Sequence, residues 1–220
     1  MGEAIAKLQQ EIKDLKLSEQ SLRNRLKEVK RLLHGSISAL VCMMEKADRH
    51  TARHQKRVAQ LAFIMAKELG FTSEEAYEVL LAALVHDIGK ISISAEVLTK
   101  PGKLLPYEWE SIRAHPVVGF NIMNNFNYPW PVPMIIKQHH ERRNGSGYPD
   151  GINKHDILRP AMVLAVADVF EAMFSHRPYR PALGIDPALA EISKADYYDP
   201  EVAAVCSDLF LKQGFCFEQH

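Results

Sequence analysis

Residues 80–90 read LLAALVHDIGK, an apolar helical pattern that ends on two adjacent metal-binding residue types, His86 and Asp87. The capping box formed by Thr72 and Glu75 predicts where this helix begins. Successive residues on a helix point about 100° apart, so His86 and Asp87 can bind different metal ions or bracket one bridging oxygen. The stretch therefore predicts a helix whose end delivers a metal-binding pair.

The chain continues this helical pattern on both sides of the stretch. Helices are predicted over Thr51–Leu69, Ser73–Val85, Pro106 past Ile112 towards Phe126, Pro131–His140, Ala161–Phe174, Pro187–Ile192 and Pro200–Leu211. Val and Ile runs with a period of two are lacking, and Asn144–Gly151, with three glycines and one proline, is the clearest loop. We therefore expect an all-α fold.

The first 35 residues have a heptad pattern. Apolar residues recur in steps of three and four at Ile5, Leu8, Ile12, Leu15, Leu22, Leu26, Val29 and Leu33, with Glu19 interrupting one step. Isoleucine at a positions and leucine at d positions favours a parallel two-stranded coiled coil, in which Glu11 could pair with Lys16 of the partner helix. The alternative is one amphipathic helix that folds back on its own domain.

Two domains follow from this pattern. We expect residues 1–35 to be a coiled-coil signalling and dimerisation helix that makes a homodimer and can pass on a signal from an upstream sensor. We expect residues 36–220 to form one helical domain.

The composition excludes several kinds of partner. Lys plus Arg equals Asp plus Glu, at 27 each, so no overall positive charge predicts binding to a DNA or RNA polymer or to a membrane surface. The three cysteines form no CxxC pair, which argues against a disulfide framework and fits a reducing cytoplasm. The apolar runs are too short for a transmembrane segment.

Several of the ten histidines stand where a metal ligand could be expected. The candidates are the adjacent pair His139 and His140, His50 and His54 one helical turn apart, His115 before Pro116, and Asp168 in the apolar stretch AVADVFEAM. Nitrogen and oxygen ligands without thiolates suit iron, manganese or zinc. Together with His86 and Asp87 they are too many for one tetrahedral ion, so two metals are predicted.

These segments, in their order, resemble the HD-GYP branch of the HD metal-dependent phosphohydrolases. The resemblance runs from about Ser36 to the C-terminus, and it rests on His54 with RVA following, HDIGK (86–90), LTKPGKL (98–104), EWESIRAHPVVG (108–119), HHERRNGSGYPDG (139–151), AVADVFEAM (165–173) and RPYRPA (177–182). Gly147, Tyr148 and Pro149 are the signature tripeptide. The family fold is a bundle of helices of the HD-domain type, in agreement with the periodicity.

The resemblance implies hydrolysis of cyclic di-GMP to pGpG or GMP at a centre of two divalent ions, commonly iron or manganese. It puts His54, His86, Asp87, His115, His139, His140 and Asp168 at ligand positions, Lys90 at the scissile phosphate, Arg177 and Arg180 around the dinucleotide, and Gly147 and Tyr148 in a substrate-facing loop. His50 stands where some members carry a ligand for a third ion. For Tyr148, stacking on a guanine base and contact with a partner protein both remain open.

The expected mechanism assigns catalytic roles to Asp87 and Lys90. Two cations about 3.5–4 Å apart could hold a bridging water and make hydroxide available near neutral pH. A carboxylate with two oxygens suits Asp87 to bridge the ions, and Lys90 could add a positive contact to the phosphate. Two alternatives are a non-catalytic module that binds a cyclic dinucleotide or a partner protein, and a phosphodiesterase for another cyclic dinucleotide.

Overall fold

The computed structural model of the protein describes residues 2–47, 49–100, 102–126, 130–176 and 181–217, with the side chains of 3–5, 30, 33–34 and 44–52 left out. Its helices are α1 (Gly2–Ala47), α2 (Arg49–Glu68), α3 (Ser73–Val85), α4 (Ala95–Leu98), α5 (Pro106–Arg113), α6 (His115–Asn124), α7 (Val132–Gln138), α8 (Arg159–Phe174), α9 (Ile185–Ile192) and α10 (Pro200–Leu211). A 3₁₀ segment spans Ile88–Ser92. The described ranges contain no β-strand, which confirms the all-α prediction.

The fold divides into two compact units, Met1–Leu40 and Val41–His220. The first unit is one continuous helix, as the heptad pattern predicts. Because α1 continues to Ala47, the helix does not end at the boundary expected between residues 35 and 36, and that boundary stays a prediction. Within the described ranges, no helix combines the length and apolar character needed to cross a membrane.

The core of the second unit lies where α2, α3, α7 and α8 pack on one another. Fully buried side chains from all four helices fill it, among them Leu61, Met65, Leu81, Ile135, Leu164 and Phe170. Helix α8 is buried along most of its length, from Ala161 to Glu171. A polar side chain on α8 that points inward is therefore cut off from water and must find its partners within the protein.

Local sequence determines where α3 begins and ends. The Thr72 hydroxyl accepts a hydrogen bond from the Glu75 N–H (3.2 Å), and the Glu75 carboxylate accepts one from the Thr72 N–H (2.8 Å), which confirms the capping box. The helix ends at Val85, as predicted, with His86 as its C-cap. The metal-binding pair thus lies at a helix terminus.

The helix predicted to run from Pro106 past Ile112 towards Phe126 is in fact two helices, so that prediction is wrong. Helix α5 ends at Arg113 and α6 begins at His115. Pro116 has no N–H to continue the hydrogen-bond ladder, but it is tolerated in the first turn of a new helix. The break places His115 at a helix junction.

Gly89 allows the 3₁₀ segment to lie directly against the start of α6. A Cβ atom on Gly89 would come within 2.0 Å of the His115 carbonyl oxygen and 2.7 Å of the Gly119 nitrogen. No larger residue fits without moving the backbone. This contact brings His115 next to Asp87, the residue that precedes the 3₁₀ segment.

Candidate metal centre

Three histidines are oriented in the same way by main-chain carbonyls. Each presents Nδ1 to the carbonyl oxygen three residues upstream: His86 to Ala83 (2.8 Å), His115 to Ile112 (2.6 Å) and His139 to Ile136 (2.5 Å). All three stand at helix ends, where the last carbonyls lack helical partners. A proton on Nδ1 leaves the lone pair on Nε2, so each ring presents Nε2 as the ligand atom.

The Nε2 atoms and the two aspartates converge. Nε2 of His86 lies 3.4 Å from Oδ2 of Asp87, and Nε2 of His115 lies 3.4 Å from Oδ1 of the same residue. His54 Nε2 lies 2.9 Å from Asp168 Oδ1, which is 3.8 Å from His86 Nε2. Asp87 therefore joins two histidines that come from different helices.

Three groups have ligand atoms within 4.8 Å of one another and could each hold a metal ion. They are His115, His139 and His140; His54, His86 and Asp87; and His86, His139 and Asp168. The structure thus brings together all seven residues expected as ligands of the two metal ions. The side chain of His50, and Arg177 and Arg180 entirely, lie outside the described residues.

Electrostatics keep four of these residues, His139, His140, Asp87 and Asp168, in the forms that bind metals. Burial lowers the pKa of His139 to about 3 and that of His140 well below its usual value, so both rings are neutral near pH 7. Burial would raise the pKa of Asp87, but Lys90 and the neighbouring histidines together outweigh it and hold that pKa well below the usual range. Burial is likewise outweighed at Asp168, where a hydrogen bond from His54 lowers the pKa. Neutral imidazoles and ionised carboxylates are the metal-binding species.

Lys90 pairs with Asp87 in this structure. Its Nζ donates a hydrogen bond to Asp87 Oδ2 over 2.7 Å, and about a quarter of its side chain is exposed. The ammonium group therefore lies at the edge of the centre, between the Asp87 carboxylate and solvent.

The Gly-Tyr-Pro loop packs on one ligand pair. A Cβ atom on Gly147 would lie 2.4 Å from backbone atoms of Glu141 and Arg142, so only glycine permits this approach. The Tyr148 N–H donates to the His140 carbonyl (3.2 Å), and the two rings are tilted against each other with centroids 4.7 Å apart. Burial raises the pKa of Tyr148, so the phenol stays protonated. One side of Tyr148 thus forms a wall of the centre.

Two buried glutamates beside the ligands, Glu141 and Glu171, were not predicted from the sequence. Glu141 accepts hydrogen bonds from the N–H groups of Asp150 (2.7 Å), Gly151 (3.2 Å) and Ile152 (3.2 Å), which holds the loop in place. Glu171 contacts His54. The signals that could have found them are their positions: one directly follows the His-His pair, and the other lies one helical turn after Asp168 in an apolar helix.

A helical bundle with a cluster of histidines and aspartates that could hold divalent metal ions defines the class of this protein, an all-α protein with a candidate metal centre. The chain belongs to the HD domain family, whose model, described as "HD domain", matches residues 39–202. The resemblance to the HD-GYP branch is confirmed.

Two curated relatives and one solved structure illustrate the similarity. "Cyclic di-GMP phosphodiesterase" of Thermotoga maritima is 37% identical over 204 residues, covering 91% of this chain and 54% of that protein. "3'3'-cGAMP-specific phosphodiesterase 3" of Vibrio cholerae is 34% identical over 170 residues, covering 76% of this chain and 37% of that protein. The chain thus spans about half of the first relative and less of the second. "Bd1817, a HDG"Y"P protein from Bdellovibrio bacteriovorus" shares the fold, with a TM-score of 0.60, 20% identity and coverage of 71% of this chain and 51% of that one.

Proposed function

We propose that this chain is a metal-dependent phosphodiesterase that hydrolyses cyclic di-GMP to pGpG, GMP or both. The observation that carries the proposal is the convergence of five histidines and two aspartates in one cluster, in which Asp87 and Asp168 are ionised and His139 and His140 are neutral near pH 7. A domain that only bound a nucleotide or a protein would gain nothing from so many buried ligands, because each costs free energy to desolvate.

The residues fit a set of at least two divalent ions, and we propose iron or manganese. Nε2 of His86 is buried and, among the described residues, has no hydrogen-bond partner, so a bound cation would satisfy its lone pair. The donor atoms are all nitrogen and oxygen, which suits these metals. A third ion held with the help of His50 stays a prediction.

Asp87 and Lys90 have distinct roles in the proposed reaction. Bound divalent ions supply Lewis acidity, a lowered pKa for water and neutralisation of phosphate charge. One oxygen of Asp87 faces Nε2 of His86 and the other faces Nε2 of His115, so Asp87 fixes the distance between these two ligand atoms. Lys90, at the edge of the centre, is placed to exchange its contact with Asp87 for one with the phosphate of the substrate.

The substrate is proposed to enter beside the Gly-Tyr-Pro loop. Gly147 contributes by letting the loop approach the ligand pair, and Tyr148 contributes an aromatic ring next to His140. Arg113 lies over the Tyr148 ring at 5.7 Å and adds positive charge to this wall. The roles of Arg177 and Arg180 in holding the dinucleotide stay predictions.

Substrate choice is the finer question. The relative named for cyclic di-GMP matches more of this chain, at higher identity, than the one named for 3'3'-cGAMP, and this supports cyclic di-GMP. Both names concern cyclic dinucleotides, so the mixed nucleotide is the second candidate.

One experiment tests the proposed function. The protein is purified without oxygen, its metals are measured by elemental analysis, and products from cyclic di-GMP are separated by chromatography, with 3'3'-cGAMP and cyclic di-AMP as competitors. Release of pGpG or GMP by the metal-loaded protein is expected. Full metal loading without any product would instead favour a non-catalytic module. Faster cleavage of a competitor would mean that this competitor, and not cyclic di-GMP, is the preferred substrate.

The first unit supports a second proposal, a homodimer through a parallel coiled coil. Side chains of the seam stay more than half exposed, including Leu8 (57%), Ile12 (51%) and Leu15 (69%). A second copy of the same helix would bury them. In this arrangement the coil could also carry a signal from an upstream sensor.

A further inference from the structure

His54 differs from His86, His115 and His139 in what orients its ring. Those three stand at helix ends and use main-chain carbonyls three residues upstream. His54 lies inside α2, where carbonyl oxygens accept hydrogen bonds from N–H groups one turn later. Its Nδ1 instead lies 2.5 Å from Oε2 of Glu171, a residue 117 positions away in the sequence.

Helix α8 holds the His54 ring at both nitrogens. Nε2 of His54 lies 2.9 Å from Asp168, and Nδ1 meets Glu171 one helical turn further along α8. Because both carboxylates come from the same buried helix, their spacing fixes the plane of the ring. In the absence of metal, Nε2 faces the Asp168 carboxylate as a hydrogen-bond donor. When a metal ion takes the place of that proton, the hydrogen bond from Nδ1–H to Glu171 keeps Nε2 as the ligand atom, on the side where Asp168 presents its own oxygen.

Glu171 is itself held in place. Its second oxygen, Oε1, accepts a hydrogen bond from the Ser175 hydroxyl (2.6 Å) and lies 3.8 Å from the Arg57 guanidinium. Arg57 also donates to the Ser175 hydroxyl (3.1 Å). Glu171 is 1% exposed as a residue, so Arg57 compensates a charge that water hardly reaches.

We propose that Glu171 is the positioning residue for His54: it accepts the Nδ1–H hydrogen bond and thereby aims Nε2, together with Asp168, at a divalent metal ion. Arg57 and Ser175 keep Glu171 in the orientation that this requires. The inference rests on the proposed function only in assuming that the centre binds metal. It assigns Glu171 no contact with the substrate or the ion.

Metal affinity tests the assignment without any use of catalysis. Mn²⁺ affinity of the full chain is measured by competition with a fluorescent chelator. Glu171→Ala should weaken binding by about 10–100-fold, the usual effect of losing a carboxylate behind a histidine ligand. Glu171→Gln should weaken it less, since the amide oxygen can still accept the Nδ1–H bond. The matched control is Glu78→Ala, which removes a buried glutamate whose charged neighbours are Glu74 and Glu75, and it should leave the affinity unchanged.

Nitrogen-15 spectra of the histidine rings in the metal-free protein provide a readout that a merely structural role would not move. The wild type should carry a proton on Nδ1 of His54, and Glu171→Ala should lose it and keep only the proton on Nε2, which faces Asp168. A folded Glu171→Ala protein that keeps both the Nδ1 proton and wild-type Mn²⁺ affinity would overturn the proposal.

The conservative variant keeps the test decisive if Glu171→Ala does not fold. In that case a several-fold loss of Mn²⁺ affinity in Glu171→Gln supports the assignment, and unchanged affinity overturns it. The proposed function can fail independently of this assignment. If the wild type cleaves no cyclic dinucleotide, the Mn²⁺ affinities of the wild type and the Glu171 variants can still be compared.

Discussion

The first helix exposes apolar side chains, whereas the metal centre buries polar and charged ones, and both arrangements are unusual for a folded protein. Along residues 8–29 the apolar seam is exposed to solvent, whereas the centre buries aspartates and histidines that elsewhere prefer water. Both arrangements cost free energy unless a complementary partner is bound. An apolar helix suits the first region and divalent cations suit the second, so each departure indicates the chemistry of a different partner.

The largest effect is expected where the centre loses its connecting carboxylate. Asp87→Ala removes both oxygens that lie 3.4 Å from the His86 and His115 nitrogens. The rate of hydrolysis should fall by more than about a thousandfold. This loss exceeds the roughly 10–100-fold that is typical for residues that only hydrogen-bond to the metal ligands. Helical circular dichroism should be nearly unchanged. Product chromatography measures the rate.

The matched control is Asp208→Ala, which removes an exposed aspartate paired with Lys212 on α10 and should keep full activity. Wild-type turnover by Asp87→Ala at equal metal content would contradict the assignment of Asp87 to the centre.

The second largest effect is expected on the proposed coiled-coil dimer. Leu15→Asp puts a charge on the seam in both copies, and because burying one leucine contributes about 1.5–3 kcal/mol, the dimer should dissociate at micromolar concentration. Leu17→Asp is the matched control: Leu17 is also exposed (62%), but it lies off the seam. Sedimentation velocity compares the two. Equal behaviour of both variants would show that the seam is not the interface.

A pair of glycine substitutions compares the two regions directly. Gly147→Ala should destabilise the protein by about 1–3 kcal/mol, because its Cβ would meet backbone atoms at 2.4 Å. Gly35→Ala should stabilise helix α1 by about 0.5–1 kcal/mol, since nothing lies within 4 Å of the added Cβ. Denaturant unfolding measures both. Opposite signs are expected, and a neutral Gly147→Ala would mean that the loop does not pack tightly on the ligand pair.

The local sequence was sufficient to predict the bounds of helices with clear end signals and the metal-ligand candidates next to those ends. Helix α3 has the predicted bounds, and His86 and Asp87 follow from its end. The junction at Ala114 was not predicted, because an apolar periodicity continues across it and only Pro116 marks the change.

The residues behind the ligands were beyond local reasoning for a different reason. Glu171 acquires its role from a contact with His54 across 117 positions, which no periodicity within one segment reveals. Glu141 likewise acts on loop N–H groups nine to eleven positions later. Sequence patterns could indicate which residues bind, but the tertiary packing decides which residues hold them.

The smallest effect is expected at Glu19, the polar interruption of the apolar seam. Its carboxylate pairs with Arg23 of the same helix at 2.7 Å, an exposed contact that contributes little free energy. Glu19→Leu would complete the seam, so the dissociation constant of the proposed dimer should fall several-fold and its melting temperature should rise. Because one polar residue at such a position fixes register and oligomer state at a cost in stability, the variant should also form a minor population of other oligomers. Sedimentation equilibrium measures the dissociation constant and the other oligomers, and thermal unfolding measures the melting temperature. A dimer weakened by Glu19→Leu would mean that Glu19 makes a favourable contact with the partner helix.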